Sequence, residues 1–473
     1  MARIGVITLS DGRDYVHNGI AGFLGGTEDR LVAALAGAGH EVVRGSAPVS
    51  ANTLATSVAR EIEAADVDLT VLHYCVWAFP HFTMLAANAL SGPLVLVANT
   101  DPVQPGLVGM LAAGGALDQV GRRHVRLWGD PADPELAAAI GTRARAAAAV
   151  AKLRGSTFGR IGGRPMGMNT AVANTDQWHR QFGVDVEEID QWEIVRRAEA
   201  ADPAEKRRAR EWLERYATVR YDSVKLTPSL LERQIGAYLA MRSLIEEWHL
   251  DFTGIKGQPE LTQHFATMDV AEAFLNDPYD WNGPKETHVC ATEADMDGAL
   301  TMQLMKHLAG TPVLFADVRH HHADRDIWDL CNSGQHATWF AARSDDPAEN
   351  LARVTLHPEV FFFPAGGASV HHIAAPGQMT LARLTRLDGT YRLQLMLGEF
   401  ENYDEATTSA LEAQSTPEWP HAFARLDVTA ETFLSRFGAN HIHAVPGDRR
   451  AELRAVCELL GITLDEFTRG PRH

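Results

Sequence analysis

Four short runs near the start of the chain are apolar almost without a break: RIGVITL (3–9), EVV (41–43), DLTVLHY (68–74) and PLVLVAN (93–99). Runs of this length, rich in branched residues, mark strands covered on both faces. Between them, EDRLVAALAGAG and TLATSVAREIEAA carry apolar residues at helical spacing. The alternation predicts a parallel, doubly wound sheet with helices on both sides. Ligands of such sheets gather at the carboxyl ends of the strands. Here those ends carry Asp11-Gly12-Arg13 and Cys75-Val76-Trp77.

An alanine-rich helix over 134–153 leads into GSTFGRIGGRPMGMNT, whose glycines read as a boundary loop. Neither GxGxxG nor GxxxxGK[ST] is met there, so a nucleotide site is rejected. A second α/β region follows, with GVDVEEID as a strand, a solvated helix around 202–216, and a long helix over 228–248 that runs into DFTGIKGQPEL. After residue 350 the texture changes to VFFFPAG, MTLARLTRLDG and YRLQLMLGEFENY, which alternate and end in turn residues, before a helix over 449–460. This predicts an α/β protein: two doubly wound parallel-sheet domains (1–160, and 161–310 carrying Glu293), then a β-rich C-terminal domain (311–473) carrying Asp317 and His441. A length of 473 residues suits about three domains.

Composition removes some classes. A net charge of −18 argues against nucleic acid, whose backbone asks for a basic face. No apolar stretch of about 18 residues and no secretory leader is visible, so no membrane partner and a cytoplasmic location are expected. The four cysteines (Cys75, Cys290, Cys331, Cys457) are far apart with no CxxC spacing, which predicts reduced, buried thiols.

Chemistry concentrates in CATEADMDGALTM (290–302), where Glu293, Asp295 and Asp297 alternate beside apolar flanks. Asp295 and Asp297 precede a run with helical spacing, and read as the start of a helix, where acids meet the dipole and free N–H groups. Glu293 ends the strand HVCAT instead. The next apolar strand, PVLFADVR, also ends in an acid, Asp317. Two carboxylates in one cleft would repel, and a divalent cation removes that cost. Oxygen ligands favour Mg²⁺ or Mn²⁺, and an imidazole from FGANHIHAVPGD, His441 or His443, shifts the choice towards Mn²⁺. RHHHADRD (319–326) reads as a loop, since three consecutive side chains diverge and cannot chelate together. CNSGQHA (331–337) offers Asn332 and Ser333 for hydroxylated ligands, and PAGGASVHH is a second glycine-rich turn. Trp77, Trp281, Trp339 and Trp419 could stack on a sugar, although tryptophans more often serve a core.

GQPELTQHF, YDWNGPKE, ATEADMDGALTM, PVLFADVR, CNSGQHA, GGASVHH…GQMTLARL, WPHAFARL and GANHIHAVPGD stand in the order expected of the L-fucose isomerase family, which the chain resembles over nearly its whole length. The N-terminal IGV…DGR and CVWAF also resemble that family. The resemblance implies an aldose–ketose isomerase, hexameric and Mn²⁺-dependent. It puts the metal ligands at Glu293, Asp317 and His441, with Glu293 and Asp317 also the acid/base pair. Substrate contacts would fall on Arg13, Trp77, Gln258, Ser333, Trp419 and Asn440, with Arg13 and Trp77 acting across a subunit boundary. Two departures bear on the sugar. The chain is shorter than the long bacterial members between Asp317 and His441, and Phe437 stands where the family often has Trp. Other readings are the same chemistry on a C6-modified hexose such as sulfoquinovose, and a sugar-binding protein without catalysis.

Overall fold

A computed structural model gives the fold, and the structure describes residues 1–333 and 336–469. The chain forms two compact units: Met1–Ala151 with Ala451–Leu459, and Lys152–Arg450 with the residues from Leu460 onward.

The first unit is built on five parallel strands in the order Glu41–Arg44, Arg3–Leu9, Leu69–Tyr74, Leu94–Ala98, Val125–Trp128. The first four are the apolar runs of the sequence. The fifth was not legible, because its VRLW is half-exposed at the sheet edge and breaks the apolar pattern with Arg126. Helices cover both faces, one over Ile7, Leu72 and Leu96 and the other over Ile4, Val6, Val71 and Val97. The register Leu9↔Tyr74 sets the Asp11–Arg13 and Cys75–Trp77 loops side by side at one sheet edge.

The second unit holds two larger sheets. One has four parallel strands, in the order Cys290–Thr292, Phe252–Ile255, Thr157–Ile161, Asp185–Ile189. Thr157–Ile161 lies within the glycine-rich segment expected to be a loop. A glycine inside a strand can mark close approach rather than a turn: a Cβ on Gly159 would come within 2.5 Å of Leu250 Cδ1. The helix Pro228–Trp248 packs its Ile235, Met241 and Leu244 into a core shared with Ile161, Ile255 and Phe274.

The other sheet has seven strands, in the order Gly377–Leu387, His441–Pro446, Leu314–His322, Ile327–Cys331, His421–Leu426, Thr390–Phe400, Thr463–Glu466. Gly377–Leu387 also pairs with Thr390–Phe400, so the first six strands close on themselves with antiparallel neighbours. Closure removes sheet edges. Leu314, Ala316, Leu330, Leu381, Met396 and Ile442 fill its core.

Three local expectations change. Asp317 does not end its strand, which continues to His322 past an irregularity between Val318 and His320, so 319–322 is strand rather than loop. Nor do Glu293 and Asp317 close neighbouring strands of one parallel sheet; they come from different sheets. VFFFPAG forms a turn between Thr355–Pro358 and Ala368–His371, with Phe361 and Phe362 exposed, because its apolar residues are consecutive and Pro364 follows.

Candidate functional site

Glu293 follows directly on the strand Cys290–Thr292, and the chain turns at once into the helix Met296–Ala309. That reversal puts Glu293 and Ala294 in the left-handed region, at φ 58° and 48°. Each such residue costs about 1–3 kcal/mol, a strain that tends to collect where a side chain must be aimed. The turn is held from below. Gly254 on the neighbouring strand lets Ala294 sit close, since a Cβ there would meet the Ala294 Cα at 3.0 Å.

The second sheet supplies the partners. In the register of Leu314–His322 with His441–Pro446, Asp317 stands opposite His441. Nε2 of His441 lies 2.9 Å from Oε2 of Glu293 and 3.5 Å from Oδ1 of Asp317. Asn440 donates to Oδ1 of Asp317 at 3.2 Å. The three groups singled out in the sequence as metal ligands therefore converge, along with Asn440. His443, the alternative imidazole, turns away: its Nε2 is 3.2 Å from the Arg383 guanidinium, and burial holds it well below the ordinary histidine range.

The other ring nitrogen of His441 is fixed. Nδ1 and Oδ2 of Asp295 are 2.6 Å apart, and both groups are fully buried. Arg383 grips the same carboxylate at 2.6 and 3.0 Å, while the N–H of Gly298 donates to Asp295 Oδ1 at 3.0 Å. Asp295 is thus the helix cap the sequence suggested, and also the group that orients His441. Burial works against its charge, but Arg383 and His441 outweigh that and hold its carboxyl well below the usual range. His441 itself is pushed up to about 10, as Asp295 and Glu293 overcome burial. Burial raises the Asp317 carboxyl, with Glu293 adding to the rise and His441 opposing it. Asp297 is paired separately, with Arg386 at 2.9 Å and the Tyr391 hydroxyl at 2.7 Å.

Whether this set suits a cation is tested by Nε2. It is buried, has two carboxylates within 3.5 Å, and makes no hydrogen bond of acceptable geometry to either. An imidazole tied at Nδ1 to a carboxylate, with Nε2 left towards acidic oxygens, is the arrangement of metal-ligating histidines. The donor set of two carboxylates and one imidazole fits a divalent cation.

A small cleft opens beside Glu293, lined by Gln258, Thr267, Asp269, Glu272 and Ser333 among others. Two of the expected substrate contacts, Gln258 and Ser333, therefore face the same space as Glu293. Gly334 and Gln335 of CNSGQHA lie outside the described residues. Trp419 is 5% exposed and packs on Phe363, another residue of the cleft wall, with ring centroids 6.1 Å apart. Arg319 stacks on the Trp419 ring at 5.2 Å. Arg13 and Trp77 belong to the first unit, where Arg13 forms a paired hydrogen bond with buried Asp11 at 2.9 and 2.6 Å.

Among the described residues one trio has its ligand atoms all within 4.8 Å of one another: Asp329, Cys331 and His421, all buried. His421 Nδ1 is 2.9 Å from Asp329 and its Nε2 is 3.1 Å from the Thr416 carbonyl. Both partners are acceptors, so both nitrogens donate, and the ring is held as an imidazolium well above the ordinary histidine range. At either histidine an ion would take the place of a proton, but at His421 it would also have to displace the hydrogen bond to the Thr416 carbonyl.

Sequence reasoning missed the Asp295–Arg383 pair as the support of His441. The signal was present, because Arg383 is the one charge within the apolar run Leu381-Ala382-Arg383-Leu384.

Comparison with known proteins matches the chain to three family models in sequence order: L-fucose isomerase, first N-terminal domain, over residues 1–155; second N-terminal domain, over 248–310; and C-terminal domain, over 330–468. Among similar curated proteins are L-fucose isomerases of Klebsiella pneumoniae subsp. pneumoniae, Salmonella paratyphi B and Salmonella typhimurium. Each is 26% identical, over 76% of this chain and 74% of the relative.

Proposed function

Because the chain belongs to the L-fucose isomerase family, whose three domains it matches in order, we propose that it is a divalent-metal-dependent isomerase that interconverts an aldose and its 2-ketose through an enediol. The observation that carries this reading is the Nε2 of His441, buried without a hydrogen bond between Glu293 and Asp317 while Asp295 holds the opposite nitrogen.

Glu293, Asp317 and His441 would hold the ion. When bound, Mn²⁺ polarises the vicinal oxygens of the sugar and offsets the negative charge that develops there. The chain's own groups move the protons. One of Glu293 and Asp317 takes the proton from C2 and a proton is delivered to C1, while the O2 proton passes to O1. Aldose and ketose then differ by no net atom. Asp295 keeps the Nδ1 proton of His441 in place, which directs Nε2 at the ligand set. Gln258, Ser333 and Asn440 are suited to bind sugar hydroxyls, and Trp419 to form a ring-faced wall.

Arg13 and Trp77 suit the same site on a neighbouring subunit of a homo-oligomer, a hexamer by family resemblance. Mixing inactive Glu293→Gln and Arg13→Ala proteins under subunit exchange tests this: recovered activity supports a shared site, and none argues against it.

The reaction is tested on a panel of aldoses including L-fucose and D-arabinose, with Mn²⁺ restored after chelation and D₂O as solvent. Ketose should form and carry solvent deuterium at C1. Glu293→Gln should fold and lose turnover, and more than about a tenth of wild-type rate in that variant would remove Glu293 from the role.

A further inference from the structure

Besides Glu293, the cleft is lined by two carboxyl groups that this chemistry does not use, those of Asp269 and Glu272. Asp269 is paired with a further acid, Glu359, which is not among the lining residues. Asp269 and Glu359 are 2% and 3% exposed, and among the described residues no cationic side chain bonds to either. The two carboxyls lie close enough to interact with each other. Their remaining bonds are neutral. Asp269 Oδ1 accepts from the Thr267 hydroxyl at 2.6 Å, and Glu359 Oε2 accepts from the Val360 N–H at 3.0 Å and from the indole N–H of Trp419 at 3.1 Å. That leaves Oδ2 of Asp269 and Oε1 of Glu359 with no donor.

Two ionised carboxylates in contact inside a protein, with no cation to offset them, are strongly disfavoured. One proton between the two donor-less oxygens satisfies both and leaves a single charge, which Thr267, Val360 and Trp419 solvate with their donors. Burial raises both carboxyls; Glu359 adds to the rise of Asp269, while the contact with Asp269 opposes the rise of Glu359.

The consequence reaches Trp419. Its ring packs with Arg319, Phe363, Cys331 and Val360. The bond to Glu359 anchors the indole N–H, so the indole edge is tied to the acid pair. We propose that Asp269 and Glu359 share one proton and act together as positioning residues, locking the Trp419 indole that backs the sugar cleft. The proposal deepens the isomerase reading of this site and rests on it for its kinetic consequences.

Isosteric amides separate the shared proton from the shape. In Glu359→Gln the amide oxygen can still accept from Trp419, and its NH₂ can donate to Asp269, so kcat/KM should stay within about threefold of wild type. Glu359→Leu removes the acceptor and should raise KM, lowering kcat/KM by about 10- to 100-fold with kcat largely kept. Trp419→Phe should do the same, and the double variant should be no worse than the poorer single one, because both changes remove one contact. Additive losses, or a Gln variant as impaired as the Leu one, overturn the proposal.

A second measurement needs neither activity nor the Leu variant. Infrared difference spectra of wild type against Glu359→Gln, and against Asp269→Asn, should each show the loss of one protonated-carboxyl C=O stretch at neutral pH. If neither spectrum loses that band, the shared proton does not exist and the proposal fails. If the wild-type chain isomerises none of the aldoses, the functional reading fails by itself and the infrared result still judges the pair.

Discussion

His441 and His421 open two strands of the same closed sheet, both fully buried and both beside carboxylates, yet they are wired in opposite ways. His421 donates at both nitrogens, to Asp329 and to the Thr416 carbonyl, so its bonding is complete. His441 is tied at Nδ1 alone, and its Nε2 faces two acids without a hydrogen bond. Proximity of ligand-type atoms favours the His421 group, the tighter of the two. At the imidazole, unspent bonding capacity favours the His441 group, while in the His421 group the atom without a partner is Oδ2 of Asp329. A buried polar atom without a partner costs about 1–3 kcal/mol and asks for an explanation, of which a ligand is one. The lesson is that an acid–histidine cluster is judged by which ring nitrogen lacks a well-formed hydrogen bond, and less by how closely its atoms crowd.

The contrast can be broken most severely at Asp317. On the proposed reading, Asp317→Asn removes an anionic ligand and one member of the proton-transfer pair, so bound manganese should fall to a small fraction of one per chain and kcat/KM by about 10³-fold or more. Metal analysis after gel filtration, with the aldose assay, reads both. Asp295→Asn comes next. It leaves the ligands intact but loosens the hold on Nδ1, which should weaken manganese affinity by about 10- to 100-fold, measured by competition with a chelator.

Asp329→Asn should have the smallest effect on the site: manganese content unchanged, with a loss of stability of about 3–5 kcal/mol. That loss has a defined pH dependence. The pKa of His421 is raised in the folded protein, so its pairing stabilises fully below the unfolded value of about 6.5 and fades as pH rises through the folded value. The gap in melting temperature between wild type and Asp329→Asn should therefore be widest near pH 6 and narrow in alkaline buffer. A gap that widens with pH, or a loss of manganese in this variant, would mean that the two histidines have been assigned the wrong way round.

Much of this was legible in the chain. Buried parallel strands are continuous apolar runs, and four of the five in the first unit stand out as such. Glu293 announced itself as an acid at a strand end, and the family resemblance pointed to Asp317 and His441. What sequence could not supply was register. Asp317 meets His441 across an antiparallel ladder between strands more than a hundred residues apart, and no local pattern encodes that pairing. Asp295 was read as a cap because capping is a local interaction. Its second duty, to His441 and Arg383, exists only after three distant segments pack. Thr157–Ile161 was hidden for a related reason, since Gly159 answers to Leu250 rather than to its neighbours in sequence.

The contact between Gly254 and the Glu293–Ala294 turn has a bearing on how such enzymes are found. Gly254 carries no functional group, but it is the spacer that lets the Glu293–Ala294 turn sit close against the neighbouring strand. A sequence that kept every acid and imidazole of this centre would still lose the turn if a bulky residue occupied that place. Searches for the activity should weigh this silent position as heavily as the residues that do the chemistry.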